Sequence, residues 1–373
     1  MSRKKSLQDK NNFYSLQNIL KKNAVYNVIF GERSNGKTYA VLEYALREFW
    51  KTGKQLAYIR RWKEDFSGKR GSALFEGLVA NGLVSEITKG EWTGIYYYSS
   101  RWYLSKTDEE GKRVLYEEPV AFGFSLSSTE HDKGTQFPNI GIICFDEFLA
   151  RTGYIPDEFV LLMNTISTII RHRTGIKVFM LGNTVNKYCP YFTEMGLKHV
   201  GQMKPGSIDL YSYGKSELTV AVEYCKPNEQ GKASDVYFAF DNPKLQMITG
   251  GAWELDIYPH APCKWRPKDI VYQYFISFDG QMLQADIICM ADRSFTFIHR
   301  KTTELKDEYH DLIFTTEYDS RPNWRRRINA PYDNLGKKIA AYFASDKVFY
   351  QDNEVGDCIK NYLMWCGKTG GRT

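Results

Sequence analysis

Residues 24–38 read Ala24-Val25-Tyr26-Asn27-Val28-Ile29-Phe30-Gly31-Glu32-Arg33-Ser34-Asn35-Gly36-Lys37-Thr38, and this stretch decides the fold. From Gly31 to Thr38 it fits G-x-x-x-x-G-K-[ST] at every position. The apolar run before it reads as a buried strand. The run after it, Thr38 to Trp50, places Ala40, Val41, Tyr44, Ala45 and Phe49 near helical spacing. Strand, glycine loop and helix form the context that a phosphate-binding loop requires. There the backbone N–H groups of Gly31, Glu32, Arg33, Ser34, Asn35, Gly36, Lys37 and Thr38 wrap phosphates, aided by the helix dipole. Lys37 reaches the β- and γ-phosphates and the Thr38 hydroxyl ligates Mg²⁺, so the expected ligands are ATP and Mg²⁺.

A second nucleotide element follows in Ile140-Gly-Ile-Ile-Cys-Phe-Asp146-Glu147, an apolar strand ending in two acids. The first acid suits Mg²⁺; the second suits orienting and deprotonating an attacking water, which favours hydrolysis over transfer to a substrate. Asn183 ends the next strand, Ile176 to Leu181 followed by Gly182, and is either a γ-phosphate sensor or a plain turn residue. Arg33 inside the loop contacts the γ-phosphate, pairs with Glu147, or faces solvent. Arg171-His172-Arg173 closes an amphipathic helix over 156–171 and is either an arginine finger for a neighbouring subunit or a set of cations at a helix C-terminus.

Composition narrows the class. Of 373 residues, 43% are hydrophobic and 25% charged, ordinary for a soluble globular chain of two domains. No apolar run approaches the ~18–20 residues of a membrane span, and Met1-Ser-Arg-Lys-Lys5 has no apolar stretch behind it like that of a secretory signal. The seven cysteines form no C-x-x-C pair, which argues for free thiols in a reducing cytoplasm and against a zinc site. A net charge of +6 permits a polyanionic partner without demanding one. Two basic-aromatic segments are candidates for phosphate contacts: Arg60 to Arg70, with Lys63, Lys69 and Arg70 on an expected surface loop, and Arg325-Arg326-Arg327 behind Trp324.

Along the chain, Gln55 to Arg60 reads as a second core strand, and residues 92–126 as antiparallel strands turning at Asp108-Glu-Glu-Gly111. Residues 201–258 change to Gly, Pro, Ser and Lys and read as a linker or small module. Strands follow over 270–300, with a type I′ signal at Asp279-Gly280, then helices over 333–344 and 354–365. The predicted architecture is α/β: a parallel-sheet nucleotide domain over 1–228, a linker module over 229–258 and a small α+β domain over 259–373.

Together Val28 to Thr38, Tyr58-Ile-Arg-Arg-Trp-Lys63, Phe137 to Phe148, Arg171-His-Arg173, Leu181-Gly-Asn183 and Asn186 to Phe192 resemble the DNA-packaging ATPases of phi29-like tailed phages, relatives of large terminase subunits. The resemblance spans essentially the whole chain. It implies an additional-strand (ASCE) P-loop ATPase domain, a linker, and an RNase H-like domain that is a vestigial nuclease. It implies that Arg171 is the trans-acting finger, that Lys133 acts across the subunit boundary and that Lys63 faces DNA in the pore. It also implies a ring, a pentamer in this family, on the portal of an empty procapsid in the bacterial host cytoplasm, absent from the finished virion, moving double-stranded DNA. Some relatives dock through a structural RNA; no pattern here decides that for this chain. The first strand of the C-terminal domain, Tyr272 to Phe278, has no acid, Asp279 belongs to the turn, and Asp286 and Asp292 have no clustered partner. That departs from a full terminase with an active nuclease. A P-loop kinase of a small molecule is the other alternative, opposed by the Asp-Glu pair.

Overall fold

The computed structural model describes residues 13–128, 136–150, 153–214, 218–227, 253, 256–306, 310–331 and 333–368. The chain divides into two compact units, Met1–Glu254 and Leu255–Thr373.

The first unit is one nine-stranded sheet. Its strands in chain order are β1 (Tyr26–Gly31), β2 (Gln55–Arg60), β3 (Gly94–Tyr98), β4 (Arg101–Thr107), β5 (Arg113–Ser125), β6 (Ile140–Asp146), β7 (Lys177–Asn183), β8 (Ile208–Ser212) and β9 (Thr219–Tyr224). Across the sheet they run β3-β4-β5-β2-β6-β7-β1-β9-β8. The central strands β5, β2, β6, β7, β1 and β9 pair in parallel. A parallel sheet is covered on both faces, so its strands read as continuous apolar runs; β6 is buried at all seven positions.

Side chains alternate between two apolar layers. Ile29, Leu56, Ile142, Phe179 and Leu181 face the helix Lys37–Thr52, which contributes Val41, Leu42, Ala45, Leu46 and Phe49. Val28, Phe30, Ile143, Phe145, Val178 and Met180 face the layer that holds Leu162, Ile166 and Ile169 of the helix Glu158–Ile170. Each fully buried side chain of this size contributes about 1.5–3 kcal/mol.

The antiparallel strands expected over 92–126 form as β3, β4 and β5, and β5 also pairs in parallel with β2, which joins them to the main sheet. One sequence expectation changes: the stretch after residue 201, read as the start of a linker or small module, holds β8 and β9, which lie beside β1 in the same sheet. Of the 229–258 segment only Trp253 and 256–258 are described; Trp253 stacks on Phe30 at 5.2 Å.

The second unit is a six-stranded sheet ordered β14-β13-β10-β11-β12-β15, where β10 is Ile270–Phe278, β11 Gln281–Cys289, β12 Ser294–Arg300, β13 Ile313–Thr315, β14 Trp324–Arg325 and β15 Val348–Tyr350. The β10–β11–β12 meander is antiparallel, while β13 is parallel to β10 and β15 to β12. Tyr274, Ala285 and Ile298 align across one face of the meander and are fully buried. Helices Asn334–Ala344 and Asn353–Lys368 follow.

The opposite face carries Gln273, Gln284, Asp286 and His299. Asp286 accepts from Gln273 Nε2 (2.9 Å), Gln284 Nε2 (3.0 Å) and His299 Nε2 (3.2 Å), and His299 Nδ1 lies 2.7 Å from the Arg300 carbonyl oxygen. Both ring nitrogens face acceptors, which only the imidazolium satisfies. Burial alone would lower the His299 pKa, but the Asp286 hydrogen bond and charge and the Arg300 carbonyl outweigh it, and the value rises above the ordinary 6.5. Burial likewise pushes Asp286 up, and its three hydrogen bonds bring it net below 3.8. The His299 contribution to stability is complete below 6.5 and is lost as pH climbs through its raised folded value. The Asp286 contribution is complete above 3.8 and is lost as pH falls through its lowered folded value. The melting temperature of the full chain should therefore fall as pH rises above about 6.5, by an amount that His299→Gln removes. Parallel pH profiles for the two proteins would rule out this ion pair.

Candidate functional site

Because β1, β2, β6 and β7 are parallel neighbours, their C-terminal ends share one edge of the sheet. The register sets Gly31 opposite Asn183 and Asp146 opposite Leu181. Gly31, Arg60, Asp146 and Asn183, far apart in sequence, thus close four adjoining strands. This is the edge at which parallel α/β sheets carry their ligands.

The glycine loop leaves β1 in a conformation few residues adopt. Gly31 has φ 154°, and a Cβ there would stand 2.9 Å from Cys225 Cβ. Gly36 has φ 93° and caps the helix Lys37–Thr52; a Cβ there would press on the Phe13 ring at 3.3 Å. The chain before β1 is sewn to the loop, with Tyr14 N–H donating to the Asn35 carbonyl (2.9 Å) and Tyr14 OH to Glu223 (2.6 Å).

Lys37 is 6% exposed. Its ammonium donates to the Glu32 carbonyl (2.7 Å), Asn35 Oδ1 (3.2 Å) and Asn183 Oδ1 (3.4 Å). All three are neutral oxygens, and among the described residues no carboxylate lies within ion-pair distance. Burial lowers the Lys37 pKa, offset only in part by Asp146 and Glu32. A buried cation solvated by dipoles alone is an arrangement suited to an anion. Beside it, Thr38 Oγ1 donates to Asp146 Oδ2 at 3.0 Å. A hydroxyl next to an ionisable carboxylate is an oxygen donor set of the kind Mg²⁺ takes together with phosphate. The residues present therefore fit both groups.

The two acids are held differently. Asp146 is 7% exposed and accepts at Oδ2 from Tyr58 OH (2.6 Å) as well as Thr38. Glu147 turns out of the strand with φ 58°, and its side chain is 57% exposed. Its carboxylate meets Arg60 Nη2 at 2.8 Å, and Arg60 also bonds Asp65 at 3.3 Å and lies 3.8 Å from Asp146. The partner of Glu147 is thus Arg60, on the neighbouring strand, and not Arg33, which is exposed. Next to it Arg61 turns inward and takes the buried Glu158 carboxylate in two 2.8 Å hydrogen bonds.

Tyr58, Arg60, Arg61 and Glu158 were not assigned to the site from sequence. The local signal for the two arginines is their place where the expected core strand Gln55 to Arg60 ends.

Of the remaining expected residues, Asn183 joins the loop through Lys37. Arg171 is exposed and caps the helix Glu158–Ile170 with φ 51°. Arg173 is bound within the subunit, donating to the carbonyls of Ile169 (2.7 Å) and Pro138 (2.9 Å). Lys133 lies outside the described residues. Lys63, Lys69 and Arg70 are exposed, on a 3₁₀ turn (Lys63–Phe66) and a short helix (Lys69–Ala73) rather than an irregular loop. The arginine cluster of the second unit is partly committed to structure. Arg325 forks onto Asp333 at 3.1 and 2.7 Å, and Arg326 lies 5.2 Å over the Trp365 ring.

The family model of the podovirus DNA encapsidation protein (Gp16) matches residues 8–86 and 105–222, more than half of the chain. The DNA packaging protein of Bacillus phage phi29 is 30% identical over 192 residues, 51% of this chain and 52% of that one. That of Bacillus phage B103 is 29% identical over 182 residues, 48% and 50% of the two chains. The chain spans about half the length of the curated relatives it matches. In fold it resembles a chain of the bacteriophage Phi-29 viral genome packaging motor assembly (TM-score 0.55, 18% identity, 96% and 99% of the two chains covered). It also resembles the Phi-28 gp11 DNA packaging motor (TM-score 0.51, 17% identity, 96% and 98% covered). By the family match over residues 8–86 and 105–222 of the first unit, the chain belongs to the podovirus DNA encapsidation protein (Gp16) family.

Proposed function

We propose that this chain is a Mg²⁺-dependent ATPase that drives double-stranded viral DNA through a portal into a preformed capsid, working as a ring of identical subunits. The observation that carries the reading is the buried Lys37 ammonium, held by neutral oxygens under a glycine loop and flanked by the Thr38–Asp146 contact. The strand order supports an additional-strand ATPase domain, since β7 lies between the loop strand β1 and the acid strand β6. In the second unit, the three-stranded meander with β13 and β14 parallel beyond β10 supports an RNase H-like core. There the Asp286 carboxylate is spent on Gln273, Gln284 and His299, which supports a vestigial nuclease over an active one.

The residues divide the work. Lys37 neutralises charge on the β- and γ-phosphates. Thr38 and Asp146 hold Mg²⁺, which supplies further charge neutralisation at the transferring phosphoryl group. Tyr58 fixes the Asp146 carboxylate. Glu147 orients the attacking water and receives its proton, for which it must release Arg60. Asn183 bridges from β7 to Lys37, where a change at the γ-phosphate is felt. Arg171 completes the site of the neighbouring subunit, with Lys133 as a second residue acting across that boundary. Lys63, Lys69 and Arg70 grip DNA phosphates. By the family resemblance such a ring would hold five subunits and sit on the portal vertex in the host cytoplasm. A small-molecule kinase is disfavoured by Glu147, a carboxylate exposed beside the Mg²⁺ ligands and suited to activating water.

Lys37→Ala and Asp146→Ala should each abolish ATP hydrolysis. Glu147→Gln should bind ATP yet hydrolyse it at least about 10²-fold more slowly, the scale of general-base catalysis. Near-normal turnover of purified Glu147→Gln would remove the acid from its role.

Arg171→Ala subunits should be inactive alone and regain hydrolysis when mixed with Glu147→Gln subunits, because some interfaces then join an intact finger to an intact site. Confirmed mixed rings with no recovery at any ratio would exclude a finger acting in trans.

DNA affinity should fall with salt at roughly −0.9 per neutralised phosphate, whatever the sequence. Replacing Lys63 and Lys69 by Ala should make that slope shallower by about one for each phosphate that is no longer neutralised, with hydrolysis in the absence of DNA retained. An unchanged slope would move the grip elsewhere on the surface.

A further inference from the structure

Two adjacent arginines, Arg60 closing β2 and Arg61 directly after it, serve different partners. Arg60 reaches the site acids; Arg61 is buried, 7% exposed. The Arg61 guanidinium forks onto Glu158, with Nε to Oε2 and Nη2 to Oε1 both at 2.8 Å. It also donates to the main chain of the catalytic turn, Nη1 to the Glu147 carbonyl (3.1 Å) and Nη2 to the Phe148 carbonyl (3.0 Å). The Tyr154 ring lies under the guanidinium at 5.3 Å. Glu158 is itself fully engaged, accepting from Tyr191 OH and from the Ile155 N–H, each at 2.7 Å. It is the first residue of the helix Glu158–Ile170.

Those two carbonyls belong to a strained residue and to the one after it. Glu147 has φ 58°, a left-handed conformation that a residue bearing a Cβ keeps only when its surroundings over-determine it. The turn is pinned at three points: Glu147 N–H to Asp146 Oδ1 (2.9 Å), Phe148 N–H to the Leu181 carbonyl (3.0 Å), and Arg61 on both carbonyls. Of these, only Arg61 ties the main chain of the turn to another element through a side chain. Through Glu158 it extends to a helix of 13 residues, about 20 Å long, whose far end is Arg171.

We propose that Arg61 is a positioning residue. Held by Glu158, it clamps the Glu147 and Phe148 carbonyls, fixes the left-handed turn that presents the Glu147 carboxylate, and sets that turn in register with the helix ending at Arg171. This rests on the reading of Glu147 as the group that activates water. A carboxylate misplaced by about 1 Å loses on the order of 10²-fold in rate. The clamp touches neither the glycine loop nor Lys37, so its loss acts on turnover and not on ATP binding.

A bulk structural role and a positioning role separate in the paired replacement Arg61→Met/Glu158→Leu. Exchanging a buried ion pair for apolar side chains of similar size is often neutral for stability, whereas either single change leaves a buried charge alone. Because Tyr191, Ile155 and two carbonyls also lose partners, the full chain carrying the pair should melt below wild type but above either single variant, and keep its KM for ATP within about threefold, with kcat lower by about 10²-fold. Recovery of kcat together with the melting temperature would overturn the proposal. Arg61→Lys keeps a charge for Glu158 without the fork and serves if the pair does not fold. It should lower kcat at unchanged KM, and wild-type kcat in folded Arg61→Lys would equally overturn the proposal. In a Glu147→Gln background, Arg61→Lys should cost nothing further, while an additional loss of the same size would show that Arg61 does not act through Glu147. If Glu147→Gln alone turns over normally, the catalytic reading falls; if it is inactive and the Arg61 variants are normal, only the present inference falls.

Discussion

An ammonium group taken out of water with no carboxylate in ion-pair contact is a costly object, worth several kcal/mol even after relaxation. Lys37 is that object here: it sits almost wholly buried, solvated by one carbonyl and two side-chain amide oxygens. The rest of the first unit is arranged around that cost. The glycine loop supplies the Glu32 carbonyl, and its positive-φ positions let the main chain wrap the lysine. β7 must lie beside β1 for Asn183 to reach it. β6 must lie beside β7 for Asp146 to stand next to Thr38. A phosphate ligand offsets the cost directly, which is why the unfavourable burial is informative about function.

The second constraint is the treatment of negative charge. Asp146 closes β6 with Glu147 directly after it, and Arg60 closes β2, one strand over, with Arg61 directly after it. Arg60 balances Glu147 and stands near Asp146. Arg61 turns the other way, into the layer between the sheet and the helix Glu158–Ile170, and spends its charge on Glu158 and on the Glu147 and Phe148 carbonyls. Adjacent residues of extended chain point to opposite faces, so one dipeptide meets the acids on one side and the Glu158 helix on the other.

The sequence is most legible where the information is local. The loop, its flanking strand and helix, the acid strand and the Asp279-Gly280 hairpin each announce themselves within about a dozen residues, and the structure places them as read. Information carried by strand order is not legible. Arg60 is visible only as one of several basic residues near Trp62, because its pairing with Glu147 depends on β2 lying next to β6. Arg33 is a candidate partner of Glu147 by its place in the motif, yet the loop leaves it exposed. Charge without its partner misleads again at Arg325–Arg327, where Asp333 and Trp365, later in the chain, account for two of the three. Composition misleads at residues 201–227, where Gly, Pro and Lys surround strands that complete the main sheet. The short strands β13, β14 and β15 have only two or three residues and no periodicity to detect.

The central claim is that the Lys37–Asp146–Glu147 edge hydrolyses ATP in the service of moving duplex DNA. Its most direct test is ATP turnover by the full chain, free and on portal-bearing capsids, with and without duplex DNA of unrelated sequences. The account predicts release of ADP and inorganic phosphate that rises on adding duplex DNA, to a similar extent for each sequence. Hydrolysis indifferent to DNA on portal-bearing capsids, or transfer of the phosphoryl group to a small acceptor, would contradict it.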